Sequence, residues 1–184
     1  MAKKILMIVG SARKESFNRQ VAAVAAEQLK SGAEVSFLDY SDVPFINQDD
    51  EFPAPQAVAR VREAVMAADG LWIQTPEYNS SYPGVLKNLL DWLSRPLKQG
   101  DFGSGTAIGG KKAAICGIAG KSAAAGARAK LRELLTFIKA DVLDQETGIV
   151  LNPEAFTKGE LILSDESRAA IAAEAQAFLK FIEA

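Results

Sequence analysis

The most constraining feature of this sequence is a short apolar run that ends directly in a glycine-containing polar cluster. Lys4–Val9 reads KILMIV, and the next nine residues, Gly10–Asn18, read GSARKESFN. The run is too short for a helix and is apolar without alternation, which is typical of a strand covered on both faces. The sequence therefore predicts a buried parallel strand whose carboxyl end presents the polar cluster to a ligand.

The cluster has the chemistry of a phosphate-binding loop. Gly10 allows a tight turn, Ser11 and Ser16 supply hydroxyls, and Arg13 supplies a planar cation. Ser16 or Asn18 can cap the following helix, whose free backbone N–H groups favour an anion. An Arg–phosphate contact contributes about 1.5–3 kcal/mol, against under about 1 kcal/mol for the helix dipole, so Arg13 is expected to dominate. The alternative is a solvated β-turn with an ordinary serine cap.

A second loop with ligand-binding chemistry follows another apolar strand. Gly70–Gln74 (GLWIQ) leads into the segment TPEYNSSYPGVLKNLLDW. Pro76 and Pro83 fix φ on either side of this loop and remove two N–H groups. Between them, Glu77–Asn79 offers backbone amides and one flat aromatic ring. The second loop therefore suits a planar heterocycle.

Together the two segments resemble the NAD(P)H-dependent FMN reductase family, which includes chromate, quinone and azo-dye reductases. The family patterns Gly-Ser-x-Arg-x-x-Ser-x-Asn and Pro-Glu-Tyr-Asn-x-Ser-x-Pro-Gly-x-Leu-Lys-Asn are both complete here. The resemblance continues through Asp91-Trp92 and Leu131-Arg132 to the stretch from Phe156 to Leu161, and so covers almost the whole chain. It implies that FMN is contacted by Ser11, Arg13, Ser16, Phe17, Asn18, Pro76, Glu77, Tyr78 and Asn79.

Two positions of the second loop depart from the family pattern. Ser80 replaces a usual glycine, and Tyr82 replaces a usual aliphatic residue. The resemblance places Ser81 and Tyr82 near the substrate, so the shape of the substrate is expected to differ from that of relatives.

A third loop is implied by the resemblance to close over the flavin, with Gly117, Gly120 and Ser122 nearest the ring. Its sequence, ICGIAGKS at 115–122, also ends in the Gly-Lys-Ser of a nucleotide triphosphatase P-loop. Ile115 stands where that motif has its first glycine, so the loop cannot easily wrap a β-phosphate. The stretch GSGTAI at 103–108 lacks the last glycine of a dinucleotide fingerprint, and no Rossmann NAD site is supported.

The rest of the chain alternates strands and helices without a break in composition, which predicts a doubly wound parallel sheet. Further strands are expected over Glu34–Asp39, Lys112–Ile118 and Asp141–Leu143. Helices are expected over Phe17–Lys30, Pro55–Ala68, Pro83–Leu93, Ala123–Lys139 and Ser164–Glu183. The expected fold is α/β, a three-layer sandwich around a five-stranded parallel sheet of flavodoxin-like order, forming one domain over 1–184. In that order the first and third strands flank the ligand-binding switch point, where the first and second loops lie.

Composition excludes several function classes. The net charge is −2 with no basic block, so neither nucleic acid nor an anionic membrane surface is an expected partner. The absence of histidine removes Ser-His-Asp and Cys-His catalysis and histidine-rich metal sites, and no metal is expected. The single cysteine, Cys116, forbids an internal disulfide and is expected to be buried in a strand. The first apolar run is too short for a secretory signal or a membrane span, so a cytoplasmic protein is expected.

Four further features have structural interpretations. Trp72 and Trp92 are expected to pack in the core or an interface. Glu77 is expected to position other groups, because hydride transfer between two cofactor rings needs no side-chain base. The glycine-rich stretch Gln99–Gly110 is expected to be a loop, either a mobile lid or a plain linker.

The resemblance implies an FMN-dependent oxidoreductase in which NADPH or NADH passes hydride to flavin N5 and a small acceptor replaces it in a ping-pong cycle. Quinones, free flavins, azo compounds and metal oxyanions are the implied acceptors. Two other classes stay open, a flavodoxin-type electron carrier and a flavin-bound oligomeric sensor. FMN is expected instead of FAD because no second phosphate site is visible. The wide apolar arc of Pro83–Ser94 predicts a homodimer, or a homotetramer built from two dimers.

Overall fold

A parallel sheet with five strand positions organises the chain. The computed structural model describes residues 2–184. The strands are β1 Lys3–Val9, β2 Ala33–Phe37, β3 Gly70–Thr75, β4 Pro96–Lys98, β5 Asp101–Thr106, β6 Lys112–Ala119, β7 Asp141–Val142 and β8 Thr147–Val150. The main sheet runs β2-β1-β3-β6, and all its pairings are parallel. Its fifth position is divided, because β7 pairs with the start of β6 and β8 with its end. The predicted fold class and flavodoxin-like order are confirmed.

Helices cover both faces of this sheet. They are α1 Phe17–Leu29, α2 Gln56–Ala67, α3 Gly84–Leu93, α4 Ala125–Phe137, the short α5 Ala155–Lys158 and α6 Asp165–Glu183, with a 3₁₀ turn at Gln48–Asp50. Ser16 caps α1 and Ser164 caps α6, each by accepting a backbone N–H three residues on. Helix α4 begins at Ala125 and not at Ala123, because Ala123 and Ala124 have φ of 49° and 57°.

The period-two alternation of the strands separates two apolar cores. Ile5, Met7 and Val9 of β1 pack with α1 and α6, whereas Leu6 and Ile8 pack with α2, α3 and α4. The same alternation recurs along β3 and β6, so the sheet is buried on both faces. This burial makes the loops at the carboxyl ends of the strands the natural place for a ligand.

Two sequence predictions about secondary structure and packing were wrong. Gln99–Gly110 is not a loop throughout, because β5 pairs antiparallel with β4 in a separate hairpin. The apolar arc of α3 does not require a partner chain, because its large side chains are fully buried within this chain: Leu86, Leu89, Leu90, Trp92 and Leu93.

The predicted packing roles of both tryptophans and of the cysteine are confirmed. Trp72, Trp92 and Cys116 are fully buried. The indole of Trp92 donates to the carbonyl of Pro44 at 2.8 Å. Across residues 2–184, none of the helices has the length and apolar character needed to cross a membrane.

Candidate functional site

The first loop, residues 10–18, places buried hydroxyls next to an exposed cation. Ser11 and Ser16 are buried, and Ser16 caps α1. The Arg13 guanidinium lies 5.1 Å from the centre of the Phe17 ring, a cation–π geometry that orients it without neutralising it. Within residues 2–184, Arg13 forms no salt bridge. Its charge is therefore available to an anion.

The start of α1 is tied to the neighbouring strand. Asn18 is buried, and its Oδ1 accepts from Nε2 of Gln74 at 3.3 Å. The Gly10 N–H donates to the Gln74 carbonyl at 2.8 Å. A Cβ at Gly10 would lie 3.2 Å from the Leu86 side chain, so close packing explains this glycine. These contacts hold the first loop above the sheet at the junction of β1 and β3.

The second loop, residues 75–82, is a tight turn that presents Tyr78. Tyr78 and Ser81 exchange backbone hydrogen bonds of 2.9 and 3.1 Å. The two residues between them, Asn79 and Ser80, both have positive φ, 52° and 58°, as in a type I′ turn. A glycine would occupy this region without strain, which explains why the family pattern has glycine at this position; nothing in the structure explains the serine. The Tyr78 ring is left half exposed.

Glu77 joins the second loop to α4. Its Oε2 accepts from the Ala127 N–H at 2.9 Å, at the amino end of that helix. This hydrogen bond, with contributions from the Ser122 hydroxyl and the Gly126 amide, lowers the pKa of Glu77 below its ordinary value. Glu77 is therefore a carboxylate that links the second loop to the start of α4, and its predicted positioning role stays a prediction.

The third predicted loop, at 115–122, is in the structure the end of β6 followed by a turn from residue 120, and it contributes only part of what was predicted. Gly120 faces the first two loops. Gly117 instead packs under α4, since a Cβ there would lie 2.8 Å from that of Ala124. Ser122 lies beside Glu77.

The three loops surround one cleft, which we call the central cleft. Its volume is about 150 Å³, and nine of the predicted cofactor-binding residues line it: Ser11, Arg13, Ser16, Phe17, Asn18, Pro76, Glu77, Tyr78 and Gly120. Asn79, Gly117 and Ser122 do not line it. Sequence reasoning missed four lining residues, Ile118, Ala119, Leu151 and Phe156. Leu151 directly follows β8, a strand that the sequence did not reveal, and Phe156 lies in α5.

The residues predicted near the substrate lie outside the central cleft. Ser81 is held in the turn by its backbone. Tyr82 lines a separate cleft with Leu134 and Phe137 of α4. Burial raises the pKa of the Tyr82 hydroxyl above its ordinary value.

A buried carboxyl lies where α6 packs against β6 and β8, and sequence reasoning missed it. Glu174 of α6 is fully buried, and neither of its oxygens has a hydrogen-bond partner among residues 2–184. Burial raises its pKa to about 8, against opposing contributions from the neighbouring Thr147 and Arg128. The Oε1 atom of Gln74 is likewise buried without a partner. The core between α6 and the sheet therefore contains a carboxyl whose pKa is raised by burial.

Comparison with known proteins agrees with this geometry. A family model described as NADPH-dependent FMN reductase matches residues 3–152. The chain is 38% identical to a 2-hydroxy-1,4-benzoquinone reductase of a Burkholderia species, over 91% of this chain and 82% of that protein. It is 37% identical to an NAD(P)H-dependent FMN reductase of Pseudomonas aeruginosa, over 95% of this chain and 92% of that protein. Among solved structures, the flavoenzyme NAD(P)H:(acceptor) oxidoreductase FerB of Paracoccus denitrificans matches with a TM-score of 0.85 and 31% identity, over 98% and 97% of the two chains. An archaeal flavodoxin, 12% identical with a TM-score of 0.64, shares the fold.

Proposed function

This chain belongs to the NADPH-dependent FMN reductase family and is an FMN-dependent NAD(P)H oxidoreductase; we propose that the central cleft holds the FMN and that small quinones accept the electrons. The observation that supports the site is the meeting of three loops at the carboxyl ends of β1, β3 and β6. One loop offers an unpaired cation and buried hydroxyls, the second a flat ring, and the third a glycine. All three lie at the switch point of the sheet, where ligands of such folds bind.

The first loop fits the phosphate of FMN. The Ser11 and Ser16 hydroxyls and the amino end of α1 provide neutral donors, and Arg13 provides the charge. A planar guanidinium can donate two parallel hydrogen bonds to phosphate. The loop has room for one phosphate with these donors, which favours FMN over a cofactor with a pyrophosphate.

The other walls fit a flat, largely apolar ring. Tyr78 presents an aromatic face, and Ile118, Leu151 and Phe156 present apolar side chains. A volume of about 150 Å³ encloses only part of a flavin, so one face of the ring stays open to solvent. That open face is where the nucleotide and the acceptor must both reach.

The residues that line the central cleft are suited to binding and orienting the cofactor and substrates. None of them is placed as an acid or base for the reaction. Glu77 is held as a carboxylate by the amino end of α4 and is not a proton donor at neutral pH. When bound, FMN supplies the chemistry that takes hydride from NAD(P)H and delivers electrons to the acceptor. The chain then contributes the geometry of the first and second loops and the apolar walls.

The proposed acceptor class is supported by relatives. One relative carries the name 2-hydroxy-1,4-benzoquinone reductase, and the Escherichia coli K12 relative, 34% identical, is named quinone reductase. A quinone is planar and small enough to stack on an open ring face. We also propose that the chain acts as one domain in the cytoplasm, a compartment that keeps a lone thiol such as Cys116 reduced.

Steady-state oxidation of NADPH and NADH with a benzoquinone tests this proposal. Turnover should require both FMN and quinone, and double-reciprocal plots at several quinone concentrations should be parallel, as in a ping-pong cycle. Protein that binds FMN but shows no quinone-dependent oxidation would be an electron carrier or a sensor instead.

We further propose a homodimer, on a different surface from the one that the sequence suggested. The sequence suggested helix α3, but its residues Leu89 and Leu93 are buried in the core. Charged substitutions there would unfold the chain and would not report on assembly. Among residues 2–184, the three most exposed large apolar side chains are Phe45, Phe102 and Phe137, which are 87%, 86% and 78% exposed. Phe137 adjoins the cleft of Tyr82, so a partner there would also cover that residue.

Light scattering of the wild type and of Phe137→Glu tests assembly. The wild type should have the mass of two chains or of a multiple of two, and Phe137→Glu should shift it toward one chain. A wild-type monomer at micromolar concentration with full activity would contradict the dimer.

A further inference from the structure

A second cavity lies on the other side of the first loop, between the ends of β1 and β2. Its volume is about 370 Å³, and Ser11 lines both this cavity and the central cleft. The remaining walls come from the start of α1, the segment after β2 and the start of α3. It is larger than the central cleft, and the flavin proposal leaves it without a role.

A carboxylate stands on the β2 side of this cavity. Asp39 lies two residues after β2, and its Oδ1 accepts from the N–H and Oγ of Ser41 at 3.1 and 2.8 Å. These hydrogen bonds lower the pKa of Asp39, so it is ionised at neutral pH. Its Oδ2 makes no hydrogen bond within residues 2–184. A carboxylate at the end of the second strand is well placed to accept hydrogen bonds from the hydroxyls of a ribose.

An unpaired cation faces this carboxylate from α1. Arg19 is exposed and forms no salt bridge within the described chain, 2–184, although it is close enough to lower the pKa of Asp39. Arg60, the other nearby cation, is already engaged with the Asp39 carbonyl and the Asp42 carboxylate. Arg19 is therefore the cation of this cavity that remains available to a phosphate.

The cavity also has an aromatic wall. Phe37, at the end of β2, is 41% exposed and lines the cavity, so its ring can contact a base. A carboxylate, a free guanidinium and an exposed ring within one cavity match the ribose, phosphate and base of a nucleotide.

We propose that this second cavity binds the adenosine end of NAD(P)H. Asp39 accepts hydrogen bonds from the ribose hydroxyls, Arg19 contacts the 2′-phosphate of NADPH, and Phe37 packs against adenine. The proposal rests on the function proposed above, since it places the reductant of that reaction next to the cleft that shares Ser11. Both nucleotides are accommodated, because Asp39 favours the free 2′-hydroxyl and Arg19 favours the phosphate.

Opposite shifts in nucleotide preference test the assignment. We expect Arg19→Ala to lower kcat/KM for NADPH by about tenfold, with less than about a threefold change for NADH. We expect Asp39→Asn to lower kcat/KM for NADH by about fivefold and to leave that for NADPH equal or higher. Lys30→Ala is the control, because it removes one positive charge from the far end of the same helix. An unchanged NADPH-to-NADH ratio in both variants would overturn the proposal.

A binding measurement separates this proposal from the proposed enzyme activity. Adenosine 2′,5′-bisphosphate is titrated calorimetrically into the wild type as purified, into Arg19→Ala and into Lys30→Ala. We expect saturable binding to the wild type and the control and about tenfold weaker binding to Arg19→Ala. Such binding in a protein without quinone reductase activity would support the nucleotide assignment of the second cavity and refute the proposed enzyme activity. Normal NADPH turnover, with no difference between Arg19→Ala and the control in this titration, would refute the nucleotide assignment of the second cavity and leave the proposed enzyme activity standing.

Discussion

Removing the Arg13 side chain should weaken FMN binding with little loss of stability of the fold. Arg13 is exposed and forms no salt bridge within residues 2–184, so its deletion leaves no buried charge unpaired. Within the described part of the ligand-free chain, the side-chain interaction that is lost is the contact with the Phe17 ring at 5.1 Å, worth about 0.5–1 kcal/mol at an exposed site. The hydrogen bonds lost from a bound phosphate are charged on both sides and contribute about 1.5–3 kcal/mol. The Kd for FMN should therefore rise by about tenfold to somewhat more than a hundredfold in Arg13→Ala.

Quenching of flavin fluorescence in a titration of the flavin-free protein gives the Kd. Riboflavin, which lacks the phosphate, should bind equally to the wild type and Arg13→Ala, while FMN should distinguish them. Arg13→Lys should recover part of the loss, because lysine keeps the charge but not the planar pair of donors. Lys14→Ala removes a neighbouring charge that does not line the cleft and should have a small effect. Equal FMN affinity in the wild type and Arg13→Ala would refute the phosphate assignment. So would a loss of riboflavin affinity in Arg13→Ala as large as the loss of FMN affinity.

Three further predictions concern stability in denaturant titrations. Glu77→Ala should lower the free energy of unfolding by about 1 kcal/mol at pH 7, because the Ala127 N–H loses a charged acceptor that is partly open to solvent. Since the folded-state pKa of Glu77 is lowered, this contribution is present above the unfolded-state pKa of about 4.3 and is lost as pH falls through the folded-state pKa. A difference in stability between wild type and variant that is equal at pH 7 and pH 2.5 would contradict this prediction. The folded-state pKa of Glu174 is raised to about 8, so the wild type should lose stability as pH rises from the unfolded-state pKa toward 8. Glu174→Gln should remove most of this dependence of stability on pH. Parallel plots of stability against pH for the two proteins would show that Glu174 does not titrate in this range. Gly117→Ala should cost about 1–3 kcal/mol because its Cβ would lie 2.8 Å from that of Ala124, and an unchanged midpoint would show that α4 moves freely.

The parallel sheet was predictable because its signals are local and strong. Unalternating apolar runs such as Lys4–Val9 and Gly70–Gln74 match strands covered on both faces, and each ends in a distinctive loop. The β4–β5 hairpin was not predictable in the same way. Its strand Asp101–Thr106 is rich in glycine and mostly exposed, so it carries no apolar pattern, and its pairing with Pro96–Lys98 is set by tertiary context.

The lining of the central cleft was predictable where it is formed by residues that lie close together in the sequence. Eight of the nine predicted lining residues meet there because two contiguous loops follow the adjacent strands β1 and β3, and the ninth, Gly120, follows β6. Leu151 and Phe156 were missed because they reach the cleft from a distant part of the chain through the short strand β8. The apolar arc of α3 misled the assembly argument, because a helix that packs against the sheet and also against the neighbouring helix α2 buries more than one stripe. Whether the predicted site residues contact FMN stays a prediction.

FMN binding by the purified chain is the most direct test of the account. We predict a yellow protein with an absorption band in the blue that holds one flavin per chain, and mass spectrometry of the released pigment should identify FMN and not FAD. Flavin-free protein should take up added FMN to the same stoichiometry. Colourless protein that also fails to take up added FMN would contradict the assignment of the central cleft and, with it, the proposed function.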